Sequence, residues 1–377
     1  MRTSILAALG LALLAFPALA QSTPSPIIEH FRAYREALDR QDFETAASEA
    51  ELALAASETR DGDGGHTPAL SLNLATARLL GGDAAGALAP AQRALALAQA
   101  GATAVDVSFA SLVLGRAELI TIGRPGADRL RALLANSEAM AGIPVSEVFA
   151  AASSLGVWAN GERNFEMAEA AWAIAAAHAE GSLLGAEYGL GRAKTWQAVA
   201  ILLDERGGNG RARLNLRRAQ AAYILLWEAE RALRAVPRTG TGLEVTIGEQ
   251  AYGDALAWRA VLVAKMHSDD LALPPGGGPT VAEVAAQLEQ DSCIEIDRTR
   301  APEFPQRQAR NGELAGLAVR LHINALGEID DVRTVSIIGD ESFARAVEGA
   351  VSQWRVIRRN TECNPERTIV LSVVFRF

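Results

Sequence analysis

The chain is poor in cysteine and in aromatic side chains, and each shortage excludes a class of protein. Only Cys293 and Cys363 occur among 377 residues, so neither a disulfide-dense scaffold nor a four-cysteine zinc module can form. Aromatic residues make up 5% of the chain, yet 49% of it is hydrophobic and 21% charged. That composition is globular rather than disordered, and the length allows two or three compact units.

Basic side chains are also in short supply. There are 36 Lys and Arg against 45 Asp and Glu, a formal net charge of −9, and Lys194 and Lys265 are the only lysines. A negative chain repels phosphate backbones and anionic lipid. The composition therefore predicts no nucleic-acid partner.

Motifs that carry chemistry are missing from the sequence. It has no His-Glu-x-x-His pair for zinc, no Gly-x-Ser-x-Gly nucleophile turn and no phosphate-binding loop ending in Gly-Lys-Ser or Gly-Lys-Thr. The histidines are scattered, at His30, His66, His178, His267 and His322. We therefore expect no catalytic residue, no metal, no cofactor and no enzymatic activity.

The first twenty residues resemble an export signal. Arg2 precedes an uncharged apolar stretch over residues 5–16, and Ala18-Leu19-Ala20 forms an A-x-A cleavage site before Gln21. The pattern predicts a signal peptide over 1–20 and a periplasmic protein. The apolar core is short for a membrane span, which needs about 20 residues. If the segment were retained, it would anchor the protein in the inner membrane, facing the periplasm, and only then would we expect membrane association.

Residues 27–273 are rich in alanine, with apolar residues at steps of three and four, which predicts an all-α region. A turn phrase recurs in it and closes on alanines 41, 40 and 41 residues apart: Ala46, Ala87, Ala127 and Ala168. A polar or glycine turn before a helix with a small early residue resembles the tetratricopeptide repeat, although that family repeats every 34 residues. An irregular helical bundle is the alternative. Five tryptophans here are interpreted as packing residues rather than a ligand cage: Trp158, Trp172, Trp196, Trp227 and Trp258.

A Pro- and Gly-rich stretch over 274–280 predicts a linker, and after it the periodicity changes. We predict a short helix over 281–288, a strand over 316–324, a turn at Gly327 and a returning strand over 329–338 with Val335 and Ile337 facing inward. A helix carrying Phe343, Val347, Ala350 and Trp354 and a final strand over 368–377 follow. Residues 281–377 should form a small α+β domain with a three-stranded antiparallel sheet, so the whole chain is α+β.

This last domain resembles the C-terminal domain of TonB, the periplasmic energy transducer. The resemblance rests on Phe304, Pro305, Gly316, Gly327 and Trp354, and on the closing Val373-Val374-Phe375. It implies protein partners, including outer-membrane TonB-dependent transporters, whose extended peptides add as a strand to a sheet edge. The strand that corresponds to that edge comprises Thr368, Ile369, Val370, Leu371, Ser372, Val373, Val374 and Phe375. The alternative is that this strand only completes the core, with a second copy or a loop covering its edge.

The two cysteines lie on either side of the predicted hairpin and helix. Cys293 precedes its first strand and Cys363 precedes its last, so in an oxidising compartment a structural disulfide is expected, although separate thiols stay possible. Arg355, Arg358 and Arg359 follow the last helix. They are interpreted as partners of the helix C-terminus, or alternatively as a contact for an acidic partner.

Together these features predict a periplasmic, non-enzymatic interaction protein. Its role would be that of an adaptor or transducer-like component of TonB-dependent envelope transport, binding partner peptides by strand addition. The alternative function is a structural envelope protein whose TonB-like domain only mediates assembly.

Overall fold

The computed structural model describes residues 25–205, 214–236, 243–274, 294–297, 301–311, 313–358 and 364–375. By its contacts the chain divides into two compact units, one ending at Leu183 and the other beginning at Leu184. The predicted signal peptide, the linker beyond Pro274, the helix over 281–288, and Cys293 and Cys363 lie outside the described residues. The predicted domain limits, 27–273 and 281–377, stay predictions, and the boundary between them falls within the second unit's range.

The first unit is helical throughout its described residues. Its helices are α1 (Pro26–Asp39), α2 (Phe43–Asp61), α3 (Thr67–Leu80), α4 (Ala84–Gln99), α5 (Val107–Ile122), α6 (Arg124–Leu134), α7 (Ser137–Met140), α8 (Val145–Gly161) and α9 (Phe165–Ala177), with a 3-10 turn at Ala179–Gly181. The pairs α1/α2, α3/α4, α5/α6 and α8/α9 pack side by side. Because their connections are short, the two helices of each pair are antiparallel.

The recurring sequence phrase forms the turn within each pair. Gln41, Gly82 and Arg163 have positive φ angles of 59°, 82° and 59°. Each is followed by an Asp or Asn whose side chain accepts a backbone N–H at the start of the next helix: Asp42, Asp83 and Asn164. In the α5/α6 turn, Gly123 takes the positive φ, 75°, and is itself the N-cap. The conformation repeats because each first helix must reverse direction within two or three residues.

The closing alanines of the phrase lie in the interior of the helical array. Ala46, Ala87, Ala127 and Ala168 are all fully buried. A methyl group there lets two helix backbones approach closely, as the sequence predicts. The structure thus confirms a helical array, and its identity as tetratricopeptide repeats stays a prediction.

The second unit combines helices with two small sheets. Its elements are α10 (Ala186–Glu205), α11 (Leu216–Arg234), α12 (Leu243–Ser268), β1 (Ile294–Asp297), α13 (Gln306–Asn311), β2 (Ala315–Ile323), β3 (Ile329–Ile338), α14 (Glu341–Val351), β4 (Arg355–Arg358) and β5 (Arg367–Phe375). The larger sheet is antiparallel with the strand order β3-β2-β5. This confirms the predicted α+β fold and its three-stranded sheet. Strands β1 and β4 form a separate antiparallel ribbon, which the sequence did not predict.

Helix α14 covers one face of the three-stranded sheet, as predicted. Phe343, Val347 and Val351 of this helix are fully buried against the apolar side chains of β2. The helix is amphipathic because these residues recur at three- and four-residue steps, and Asp340 caps its start by accepting the backbone N–H of Ser342.

Helix α12 covers the opposite face, which the sequence did not predict. Ala318, Val335 and Val370, one from each strand, share a core with Tyr252 and Leu256 of this helix. The sheet is therefore buried on both faces, and α12 belongs to the same compact unit as the sheet.

The prediction that Val335 and Ile337 share a face is wrong. Val335 packs on the α12 side, whereas Ile337 packs in the α14-side core. The register of β3 against β2 shifts between Ala318 and Val319, which leaves Val335 as an extra residue. A β-bulge of this kind breaks strict alternation and turns a side chain to the other face.

Within the described ranges, we find no helix with the length and hydropathy needed to cross a membrane.

Candidate functional site at the β5 edge

The predicted binding strand lies at an edge of the three-stranded sheet. β5 pairs with β2 over nine residues, from Ala315 with Phe375 to Ile323 with Arg367, without a register shift. In an antiparallel pair, alternate residues turn their N–H and C=O groups to the side away from the partner strand. Among the described residues, no strand pairs with that outer side of β5.

The side chains of β5 hold the strand on both faces of the sheet. Ile369, Leu371, Val373 and Phe375 pack in the α14-side core, as predicted, and Val370 packs on the α12 side. Most residues of the strand are only half-buried, although Leu371 and Phe375 are buried. The strand is thus fixed by its side chains while its outer backbone groups lie at the margin of the sheet.

Three aromatic rings secure the C-terminal end of β5. The centroid of Phe375 lies 5.3 Å from that of Phe304 and 4.8 Å from that of Phe343, and Phe304 also lies 5.4 Å from Phe343. Phe304 meets the other two rings edge to face, and rings arranged in this way add to the energy of burial. Phe304, predicted from the family motif, therefore orders the edge strand.

The opposite edge of the sheet is more obstructed. On β3, the backbone N–H of Thr334 donates to Oε1 of Glu348 at 2.7 Å. This N–H is therefore already bonded to a side chain of α14 and is not available to another strand. The register of β3 also shifts twice against β2. Bulges and side-chain caps of this kind are how sheet edges are made unsuitable for continuous pairing. β5 is the longer regular edge.

The remaining motif residues support the fold rather than lining the β5 edge. The carbonyl of Pro305 accepts the N–H of Ala309 at 2.9 Å and starts α13. Gly327 has a φ of 84° in the β2–β3 turn. Trp354 does not lie on the helix as predicted: the helix ends at Val351, and Trp354 follows it, partly buried in the α14-side core. Gly316 lies against α12, where a Cβ would be 2.5 Å from the carbonyl oxygen of Ala257.

Two of the arginines that follow the last helix in the sequence lie on a strand. Arg355 and Arg358 lie on β4, beyond the last residue of α14, Val351, and Arg359 lies outside the described residues. β4 pairs with β1, and its Arg355 and Arg358 are exposed. Both interpretations of these arginines, as partners of the helix C-terminus or as a contact for an acidic partner, stay predictions.

Charged groups tie α12 to the sheet. The buried carboxylate of Glu249 lies 2.6 Å from the guanidinium of Arg333 and 3.4 Å from that of Arg320. The carboxylate of Asp254 accepts the hydroxyl of Ser336 at 2.6 Å. Burial raises the pKa of Asp254, and its hydrogen bond to Ser336 opposes part of that rise. These side chains orient the sheet on the helix.

The histidines have local partners. His322 Nδ1 lies 2.6 Å from Asp330 and His30 Nδ1 lies 2.8 Å from Glu49. In the part of the chain that the structure describes, no three His, Cys, Asp or Glu side chains are grouped to hold a metal ion.

The tryptophans divide into two sets. Trp172 is buried against Gly156, and Trp227 packs under the guanidinium of Arg231 at 5.4 Å. Trp196 and Trp258 pack in the core of α10, α11 and α12 and also line a cleft of about 580 Å³ beside β3. These four tryptophans are thus packing residues, and two of them also border the cleft.

The described residues form a helical array and, after it in the chain, a small α+β domain with an edge strand that no described strand covers. Residues 300–377 match the family described as the Gram-negative bacterial TonB protein C-terminal. The match covers about a fifth of the chain. No curated protein matches the chain. The protein thus carries a TonB C-terminal domain preceded by a helical array; domains of this family are generally non-enzymatic, and the match suggests a part in TonB-dependent energy transduction at the cell envelope.

Proposed function

We propose that this protein is a periplasmic adaptor or transducer-like component of TonB-dependent transport that binds an extended peptide along the outer edge of β5. The observation that carries the proposal is the nine-residue pairing of β5 with β2 on one side, with no described strand on the other. Outward backbone groups on such an edge bind a partner backbone, and alternate side chains of β5 add sequence preference.

The family match supports the choice of partner. A TonB C-terminal domain at 300–377 makes the peptide of an outer-membrane TonB-dependent transporter the expected ligand. The helical array supplies a second protein-binding surface, so the protein would join a transporter to another envelope component. In this proposal the protein lies in the periplasm after residues 1–20 have been cleaved.

Two adjacent proline substitutions test the proposal in the full chain. Ser372 and Val373 are consecutive in β5, so one N–H points to β2 and the other to the outer edge. Proline at the inner position removes a ladder bond, whereas proline at the outer position keeps every ladder bond and so lowers the melting temperature less. Thermal unfolding of both variants identifies the outer position.

The outer-position variant is then compared with the unsubstituted protein for capture of partners from solubilised outer membranes. We expect TonB-dependent transporters to be recovered by the unsubstituted chain and lost with the folded, outer-position proline variant. Recovery of transporters by both would exclude strand addition at β5. Recovery of other copies of this chain alone would favour the alternative, a structural protein whose TonB domain mediates assembly.

A further inference from the structure

A cleft of about 580 Å³ lies along the other edge of the sheet, within the second unit. Five consecutive residues of β3, 334–338, form one wall. α12 also lines it, with Gln250, Asp254 and Trp258, spaced at four-residue steps and so on one side of the helix. Trp196 of α10 also lines it.

The shape of the cleft fits an extended chain. A wall of five strand residues is about 14 Å long at about 3.4 Å per residue. A segment lying along it would place alternate side chains toward α12 and toward α14. Beyond Thr334, whose N–H is bound by Glu348, the outer backbone groups of residues 335–338 face no other strand in the described parts of the chain. A short backbone contact there would be supplemented by the side-chain walls.

The charges in the cleft favour a basic side chain. Asp254, Glu341 and Arg345 are the charged residues of its lining, a net charge of −1. The carboxylate of Asp254 already accepts hydrogen bonds from the side chains of Ser336 and Gln250. Glu341, by contrast, is exposed at the start of α14, and no ion pair joins it to another described residue. Tryptophan faces attract cations as well, as Arg231 over Trp227 shows elsewhere in this unit.

We propose that this cleft binds an extended segment of a partner protein that carries an arginine or lysine, with the cation placed between Glu341 and the tryptophan pair Trp196 and Trp258. The surface differs from the β5 edge, because β3 and β5 lie on opposite sides of β2. The domain would then hold two extended segments at once, one at each margin of its sheet.

Synthetic peptides test the proposal with the full chain. The probe is a fluorescein-labelled heptapeptide that alternates threonine and valine with a central arginine, and the matched control has glutamate in place of the arginine. Fluorescence anisotropy should show at least tenfold tighter binding of the arginine peptide. Glu341→Arg should reverse this preference, and Trp196→Ala should weaken binding of the arginine peptide at least tenfold. Because Glu341 is exposed, its variant keeps the test valid if Trp196→Ala fails to fold.

Hydrogen exchange locates the bound peptide. We expect the arginine peptide to slow exchange at residues 335–338 and to leave 368–374 unchanged, and the outer-position proline variant of β5 should bind it normally. Equal affinity for both peptides, no measurable binding, or protection confined to β5 would each overturn the proposal. None of these results would decide whether transporters bind at β5, so the two proposals fail separately.

Discussion

The α-carbon of Gly316 lies so close to α12 that a Cβ placed on it would be 2.5 Å from the carbonyl oxygen of Ala257. The obstructing atom belongs to the helix backbone and cannot rotate away. Gly316, a residue of the family motif, thus sets the distance at which α12 packs on the central strand.

Gly316→Ala should therefore destabilise the protein. Forcing a methyl group into a packed contact costs about 1–3 kcal/mol. We expect a loss in the upper part of that range in the free energy of unfolding of the second unit, measured by urea denaturation. Gly349→Ala is the matched control, because Gly349 lies in α14 with no atom within 4 Å of the added Cβ. That change should stabilise the helix by about 0.5–1 kcal/mol. Equal and small effects at the two positions would show that α12 does not pack as described.

The sheet should depend on α12 for its stability. Without the helix, Ala318, Val335 and Val370 lose their apolar cover, and exposed apolar surface costs about 25 cal/mol per Å². We expect a fragment of residues 184–377 to melt cooperatively, and a fragment of residues 281–377 to melt at a lower temperature and to bind a hydrophobic dye. Matching melting temperatures for the two fragments would contradict this dependence.

Two turn residues of the helical array are conformationally costly. Gln41 and Arg163 both have a φ of 59°, a region in which a side chain costs about 1–2 kcal/mol. Gln41→Gly and Arg163→Gly should each relieve this strain and raise the free energy of unfolding of the first unit by about 1 kcal/mol. Glycine also increases the conformational entropy of the unfolded chain, which offsets part of that gain. Asp42→Ala is the control of opposite sign, because it removes the N-cap that accepts the N–H of Thr45. A loss of stability with both glycine variants would be inconsistent with these turns.

The stability of the second unit should fall with rising pH through the titration of Asp254. Burial raises the pKa of this carboxyl in the folded state, so the folded protein holds its proton more tightly than the unfolded chain does. Its contribution is fully present below the ordinary aspartate pKa, about 3.9, and is lost as the pH rises through the raised value. The stability of Asp254→Asn relative to the unsubstituted protein should therefore increase over that window.

Asp340→Asn serves as the reference for this measurement. Hydrogen bonding to Ser342 lowers the pKa of Asp340, so its contribution is present above the ordinary aspartate pKa and is lost as the pH falls. Chemical unfolding of both variants from pH 3 to pH 7 should give differences of opposite slope. Parallel slopes would mean that Asp254 is not buried as described.

Much of this fold could be predicted from local patterns. The turn phrases placed the starts of α2, α4, α6 and α9 because capping and reversal depend on residues only a few positions apart. Alternation placed β2 and β5 and assigned Ile369, Leu371, Val373 and Phe375 to one face, since a half-buried strand repeats every two residues. The stripe at Phe343, Val347 and Ala350 likewise placed α14 on the sheet.

Other features followed only from contacts between distant segments. The β1–β4 ribbon joins residues about sixty positions apart, and no local pattern marks four-residue strands of this kind. The bulge at Val335 reflects pairing with β2, so its effect on alternation is invisible in β3 alone. The cleft with Trp196 and Trp258 needs helices and sheet together; taken singly, each tryptophan reads as a packing residue.

The amino-acid sequence by itself thus determined the repeating turns of the helical array, the strands β2, β3 and β5, and the helix α14, because helix and strand periodicities are set by backbone geometry within a few residues. Only the tertiary structure decided that α12 packs on the sheet, and that β3 lines a cleft. Those outcomes depend on which apolar surfaces remain uncovered once the local elements have formed, and α12 covers the face that α14 leaves open.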